Sequence, residues 1–285
     1  MPTWPHLSGV LRLPRRAEVG FITDVEGNMG YLLKAARASR VLDVRGDSLR
    51  MKSPQHYLVF GGDVSDHGGS DLSVAEALVE LRDSAPDNVF FLLGNRDVNK
   101  MRFTSELHST DLQRAAEEIV GAHWQPRERR VEWSSYLRVA LPDPSAAAAF
   151  VPRSQRKSVR AERLKWMLRH TMGSPHAFES RRAELLARAE SGVDEDVAES
   201  FLASVRDEGS ALRRYLFARP PARPPAHPQT YTLHVSSVGV ACCTFDSYSL
   251  HYGTVYVACG TFMLHVMQYM LHAMHVMLCV ARCIL

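Results

Sequence analysis

The chain has 285 residues, of which 46% are hydrophobic and 23% are charged, the ordinary composition of a globular protein with material for a sizeable core. Its formal net charge of +3 is too small to indicate nucleic acid or an anionic membrane surface as a partner. All five cysteines lie in the last 44 residues without a CxxC pair, so no disulfide framework is expected before them. The first ten residues lack the basic and apolar stretches of a secretory signal, so we expect a cytoplasmic location.

Short apolar runs alternate with helical patterns in the first hundred residues. Three runs rich in β-branched and aromatic side chains predict buried strands: residues 19–22, 57–60 and 89–93. Apolar residues at helical spacing predict two helices, 28–39 and 71–83. The second helix is expected to cross over between two parallel strands. Residues 41–52 predict an inserted hairpin.

Each predicted strand is followed by a polar segment that supplies an oxygen ligand. Asp24 follows the first strand, Asp63 the second and Asn95 the third. The carboxyl ends of parallel strands meet at one edge of a sheet, and neighbouring strands are only about 4.8 Å apart. Carboxylate and amide oxygens are the ligands that hard cations prefer. The sequence therefore predicts one metal site at this edge.

Residues 104–218 read as mostly helical, with an interruption rich in alanine and proline at 141–152. Apolar periodicity close to 3.6 residues predicts four helices in this region: 111–120, 160–170, 176–189 and 194–217.

The composition changes near residue 220. After a proline-rich stretch at 219–228, only Asp246 and Arg282 are formally charged among residues 224–285. The uncharged run 247–281 exceeds the roughly 20 residues that a membrane helix needs, so a membrane anchor is one interpretation. The other is an unstructured tail that arose from misread splicing or a frameshift. We expect residues 219–285 to be an unstructured tail, and residues 224–285 to have no stable packing on residues 18–103.

The three polar segments resemble those of the calcineurin-like metallophosphoesterase superfamily, whose signature runs Asp-x-His, Gly-Asp-x-x-Asp and Gly-Asn-His-Asp/Glu. They are most similar to a subgroup of algae, protists and bacteria with Asp-Val-Glu-Gly-Asn and Gly-Asn-Arg-Asp-x-Asn-Lys, which here are residues 24–28 and 94–100. The resemblance implies an α/β fold, a β-sandwich flanked by helices. Residues 18–103 would be its amino-terminal half, 104–218 a helical insertion and 219–285 an atypical tail.

The resemblance also implies metal-dependent hydrolysis of a phosphate ester by a two-metal mechanism. Asp24 matches the ligand of the first metal, Asp63 the bridging carboxylate and Asn95 the ligand of the second metal. Glu26 stands where the family has a histidine ligand, and a carboxylate there favours Mn²⁺ or Mg²⁺ over Zn²⁺.

Arg96 replaces the family's histidine beside the leaving group. An arginine is too basic to be a general acid near neutral pH, but it neutralises charge on a transferring phosphoryl group. The resemblance makes Asp97 the carboxylate that orients residue 96. His67 stands where related phosphatases place a phosphate-binding arginine and is a candidate acid. Asp66 is expected to form hydrogen bonds around the site.

The sequence lacks the family's carboxyl-terminal Gly-His-x-His ligands, so the second metal is expected to be undercoordinated. Three interpretations remain open: an active phosphoesterase, a catalytically inactive or truncated relative, and a protein anchored in a membrane through residues 247–281. The expected partner of an active enzyme is a phosphorylated small molecule or phosphoprotein. No nucleic acid is expected, and a membrane partner is disfavoured.

Overall fold

The computed structural model describes residues 8–14, 17–122, 125–141, 158–218, 230–236 and 256–257, with side chains for the ranges between 17 and 218. The strands are β1 Ser8–Pro14, β2 Glu18–Ile22, β3 Leu42–Arg45, β4 Ser48–Met51, β5 His56–Phe60, β6 Val89–Phe91, β7 Thr230–Ser236 and β8 Tyr256–Val257. The helices are α1 Met29–Ala38, α2 Asp71–Ser84, α3 Asn95–Lys100, α4 Phe103–Glu106, α5 Ser109–Leu112, α6 Trp133–Ala140, α7 Val159–Trp166, α8 Ala177–Ala187, α9 Asp194–Arg206 and α10 Ala211–Leu216.

A small parallel sheet in the order β2-β5-β6 carries the predicted strands, so the protein has a mixed α/β fold. Ile22 pairs with Phe60, and Phe60 with Phe91, so the three strands end level with one another. Their polar segments therefore leave the same edge of the sheet, as the sequence predicts. The core lies between the sheet and the helices, where Leu58 and Phe60 are fully buried.

The predicted elements between the strands are confirmed. Helix α1 begins after Asn28, whose side chain accepts a hydrogen bond from the N–H of Tyr31 at 2.9 Å and so caps the helix. Strands β3 and β4 form an antiparallel hairpin in which Arg45 pairs with Ser48. Gly46 has a φ of +60° in its two-residue turn, a conformation that glycine adopts without strain.

The helical region is more broken than its periodicity predicts. The expected helix 111–120 is instead the short helix α5 followed by a 3₁₀ turn, Ala116–Glu118. The expected helix 194–217 is two helices, because the chain turns at 207–210 and Ser210 caps α10 by accepting from the N–H of Arg213 at 3.3 Å. The helix that begins at α7 continues as a π-helix, Met167–Thr171.

Helix α8 is tied to the first turn of α2. The carboxylate of Glu184 accepts hydrogen bonds from the N–H groups of Leu72 at 3.1 Å and Ser73 at 2.9 Å, so it satisfies backbone donors that a helix start leaves open. Arg188 lies one turn further along and pairs with Glu76 at 2.7 Å. These contacts cross residue 103, where the sequence predicts a boundary between the sheet and the helical insertion.

Nine residues of the tail are in strands, seven in β7 and two in β8, where the sequence predicts no regular structure. Strand β7 pairs antiparallel with β1 over its whole length, from Thr230 opposite Pro14 to Ser236 opposite Ser8. Its sequence, Thr-Tyr-Thr-Leu-His-Val-Ser, is rich in the residues that favour strands. In the ranges with a described conformation, no helix is long and apolar enough to cross a membrane. The candidate anchor 247–281 lies outside those ranges, apart from β8.

We expect Glu184→Ala to lower the free energy of unfolding by about 1–2 kcal/mol, the usual effect of losing a helix cap. Chemical denaturation followed by circular dichroism measures the change. Glu179→Ala on the same helix is the control, because Glu179 is exposed and its one partner among the described residues is Arg182; its effect should stay within about 0.5 kcal/mol. Equal effects from the two variants would show that Glu184 does not stabilise the start of α2.

Candidate metal centre

The segments after β2 and β5 run side by side and are joined through their backbones. The N–H of Asp24 donates to the carbonyl of Gly62 at 3.1 Å, and the N–H of Glu26 donates to the carbonyl of Asp63 at 2.8 Å. The two segments thus extend the pairing of their strands beyond the sheet. As a result, Asp24 and Asp63 lie on neighbouring segments at the same edge.

The backbone of these segments is strained at its acidic residues. Asp24, Glu26 and Asp63 have φ angles of +54°, +49° and +57°, and Asp66 has a φ of +128°. Such conformations cost on the order of 1–3 kcal/mol for a residue other than glycine, and they cluster at functional sites. Four of the five described non-glycine residues with positive φ are therefore acidic residues of this one edge.

Asp97 connects the segments that follow β5 and β6. Its carboxylate accepts from the N–H groups of Asp63 at 2.9 Å, Val64 at 2.9 Å and Gly94 at 2.8 Å. The hydroxyl of Tyr215, in α10, donates to the same carboxylate at 2.9 Å. Asp97 is fully buried, and burial raises its pKa while these hydrogen bonds lower it. One carboxylate thus fixes the positions of the ends of β5 and β6 and of helix α10.

This arrangement corrects the role that the resemblance implies for Asp97. The carboxylate does not contact the guanidinium of Arg96, because it turns back to the N–H of Gly94 and to the segment after β5. A side chain at position 94 would collide with Asp63, since a Cβ atom there would lie 2.0 Å from its Oδ1. Gly94 is required by this close approach.

Asp63 is half-buried and lies beside other carboxylates. Burial raises its pKa to about 6, with further contributions from the negative charges of Asp97 and Asp24. The N–H of Arg96 donates to Oδ1 of Asp63 at 3.0 Å and opposes the rise. Asp24 is exposed, and Oδ2 of its carboxylate accepts from the hydroxyl of Thr23 at 2.6 Å. The pair Asp24 and Asp63 therefore carries negative charge that nearby cations compensate only in part.

Arg96 is oriented by two other carboxylates. Its Nε pairs with Oε1 of Glu26 at 2.7 Å, and its Nη1 pairs with Oδ2 of Asp66 at 3.3 Å. Nη1 also donates to the hydroxyl of Ser174 at 3.3 Å. The second oxygen of Asp66 accepts from Nζ of Lys100, and both of these side chains are almost completely buried. Asp66 thus forms hydrogen bonds around the site, as the sequence predicts.

Two predicted residues lie at the edge, but their side chains make no polar contact with the described residues. Asn95 is the exposed first residue of α3, and His67 is exposed on the segment after β5. Among the described residues, no hydrogen bond or ion pair engages the side chain of either one. The expected convergence of Asn95 with Asp24 and Asp63 stays a prediction.

Sequence reasoning missed three residues that complete the arrangement. Lys100 lies in the quoted motif 94–100 without an assigned role. Tyr215 lies in the predicted helix 194–217, and its hydroxyl shares its one proton between Asp97 at 2.9 Å and the carbonyl of Leu92 at 2.8 Å. Ser174 comes from the turn after the π-helix and has no signal in the sequence.

The donor atoms at this edge decide which metal ion it could hold. Within the described ranges, no group of three or more His, Cys, Asp or Glu side chains is placed to hold a metal ion. The arrangement offers a pair of carboxylates, Asp24 and Asp63, because Glu26 is turned to Arg96. An amide, Asn95, is the further oxygen donor on the adjacent helix. Carboxylate and amide oxygens are of the type that hard cations take, but the described residues do not assemble two complete sites.

Comparisons with known proteins provide no assignment: no protein-family model, no curated protein and no solved structure matches the chain.

We expect Tyr215→Phe to lower the free energy of unfolding by about 1–3 kcal/mol, because it removes a donor from a buried carboxylate. Urea denaturation measures the loss. Tyr31→Phe is the matched control, since Tyr31 is 46% exposed. A loss no larger than that of the control would contradict the importance of the contact between Tyr215 and Asp97.

We expect Asp63→Asn to stabilise the metal-free protein above the pKa of about 6 and to lose that advantage as the pH falls towards 4. Because folding raises this pKa, the contribution of Asp63 to stability is full below its ordinary value of 3.8 and is lost as the pH rises through about 6. Thermal melting in a chelator across this range measures the difference. Asp47→Asn, in the exposed turn of the hairpin, should show no such pH-dependent difference. A gain that does not change with pH would contradict the assignment.

Proposed function

We propose that this chain hydrolyses a phosphate ester with the help of a divalent cation held at Asp24 and Asp63. The observation that carries the proposal is the pair of carboxylates at the carboxyl ends of two adjacent parallel strands, both in left-handed conformations. Their partly uncompensated charge, reflected in the raised pKa of Asp63, favours binding of a cation. The motif pattern of residues 24–28, 61–66 and 94–100 supports a sandwich fold of the metallophosphoesterase type.

The residues of the site would have two roles, cation binding and charge neutralisation. Asp24 and Asp63 would hold the cation, with Asn95 as a third oxygen donor on α3. A divalent cation at such a site polarises a phosphoryl oxygen as a Lewis acid. Mn²⁺ or Mg²⁺ is favoured over Zn²⁺, because every candidate ligand is an oxygen.

Arg96 supplies fixed positive charge beside the pair. Its backbone N–H donates to Asp63, and its guanidinium pairs with Glu26 of the neighbouring segment, so both parts of the residue lie at the same edge of the sheet. Nε and Nη1 are engaged by Glu26, Asp66 and Ser174. Among the described residues no partner takes up Nη2, so this donor is available to an oxygen of the transferring phosphoryl group. The exposed His67 is the candidate donor of a proton to the leaving group.

A phosphorylated small molecule and a phosphoprotein both suit an exposed edge of this kind. A catalytically inactive relative is the second candidate, favoured by the ion pair that keeps Glu26 on Arg96. Such a protein would bind the cation without turnover.

We expect a chelator-treated preparation to hydrolyse p-nitrophenyl phosphate faster with added Mn²⁺ or Mg²⁺ than with added Zn²⁺. Release of p-nitrophenol measures the rate. Asp63→Asn should lose more activity than Glu26→Gln, because Asp63 is a proposed ligand whereas Glu26 is held by Arg96. A clear preference for Zn²⁺, or a larger loss from Glu26→Gln, would contradict the ligand assignment. Absence of turnover with retained Mn²⁺ binding would favour the inactive relative.

A further inference from the structure

Glu26 is held in a fixed orientation by its own backbone. Its N–H donates to the carbonyl of Asp63 at 2.8 Å, and its carbonyl accepts from the N–H groups of His67 at 2.9 Å and Gly68 at 2.6 Å. Its φ of +49° sets the direction in which the side chain leaves this segment. The carboxylate is thereby directed to Nε of Arg96, 2.7 Å away. The backbone that positions Asp24 and Asp63 thus also directs the carboxylate of Glu26 to the guanidinium of Arg96.

Arg96 is also held in place by residues other than Glu26. Asp66 and Ser174 engage its Nη1, and the buried Lys100 pairs with the other oxygen of Asp66. Asp66 is itself fixed, since its N–H donates to Oδ1 of Asp71 at 3.0 Å. If Arg96 moved away, Glu26 would lose its partner. Asp66 would keep the buried Lys100 as its remaining cation.

The charges on this side of the site balance. The two carboxylates of Glu26 and Asp66 face the two cations Arg96 and Lys100, a sum of zero. On the other side, Asp24 and Asp63 contribute two carboxylates, and among the described residues neither of them is in an ion pair. A divalent cation is therefore favoured beside Asp24 and Asp63 and disfavoured beside Glu26.

We propose that the site binds a single divalent cation and that the guanidinium of Arg96 stands in the place of a second one. This inference rests on the proposed function, which needs only that a cation binds at Asp24 and Asp63. Arg96 provides a permanent positive charge next to the reacting phosphoryl group, and Glu26 with Asp66 positions it. The two-metal arrangement implied by the resemblance is thereby replaced by one metal and one guanidinium.

The test is the number of Mn²⁺ ions per chain, measured by equilibrium dialysis with elemental analysis, together with the electron paramagnetic resonance spectrum of the bound ion. We expect one Mn²⁺ per chain with the spectrum of an isolated ion. Two Mn²⁺ ions with a spin-coupled spectrum would overturn the inference and leave the proposed function standing. Absence of Mn²⁺ binding would overturn both.

Variants separate the roles of the acidic residues. We expect Glu26→Gln to leave the stoichiometry at one and the affinity for Mn²⁺ within about twofold, whereas Asp24→Asn weakens binding by about tenfold or more. A loss of affinity in Glu26→Gln as large as that in Asp24→Asn would show that Glu26 is a ligand, and would overturn the inference.

Arg96→Met tests the guanidinium directly. It frees Glu26 and leaves a net negative charge, so we expect a second Mn²⁺ to bind and the stoichiometry to rise towards two. Arg102→Met is the control, since Arg102 pairs with Glu106 away from the site; it should keep a stoichiometry of one. A stoichiometry of one in folded Arg96→Met would overturn the inference. If circular dichroism shows that this variant does not fold, the result for Glu26→Gln decides.

Discussion

The carboxylate of Asp97 is the constraint on which the site depends. It accepts four hydrogen bonds, three from backbone N–H groups of the two segments after β5 and β6 and one from the hydroxyl of Tyr215. A buried carboxylate is stable only when its oxygens are satisfied, so the four donors are held in place together. The left-handed backbone of Asp63 and the close approach of Gly94 are possible because this anchor opposes the strain.

The helical region takes part in the same construction. The fully buried Arg181 of α8 lies 3.7 Å from Asp71, whose carboxylate accepts from the N–H of Asp66. Glu184 caps the start of α2, and Ser174 contacts the guanidinium of Arg96. Removing one member of a buried ionic network leaves its partner unpaired at a cost of several kcal/mol, roughly 3–5. The sheet edge and the helical region are therefore coupled through charge as well as through apolar packing.

Two adjacent halves of the edge differ in their electrostatics. Asp24 and Asp63 are in no ion pair among the described residues, while Glu26 and Asp66 pair with Arg96 and Lys100. The difference arises from one residue type, since an arginine at position 96 brings a charge that does not titrate near neutral pH. Its planar fork reaches two carboxylates at once.

The sequence by itself determined the three strands of the parallel sheet, the helices between them, the hairpin and the edge at which Asp24, Asp63 and Asn95 arrive, because hydrophobic period and turn residues are local signals. Only the tertiary structure decided which carboxylates remain available. Glu26 and Asp24 are two residues apart and chemically alike, yet the first faces Arg96 and the second does not. Tyr215, Ser174 and Arg181 each contact a residue more than 70 positions away in the sequence. Such pairings depend on how helices pack on the sheet, and no local pattern encodes them.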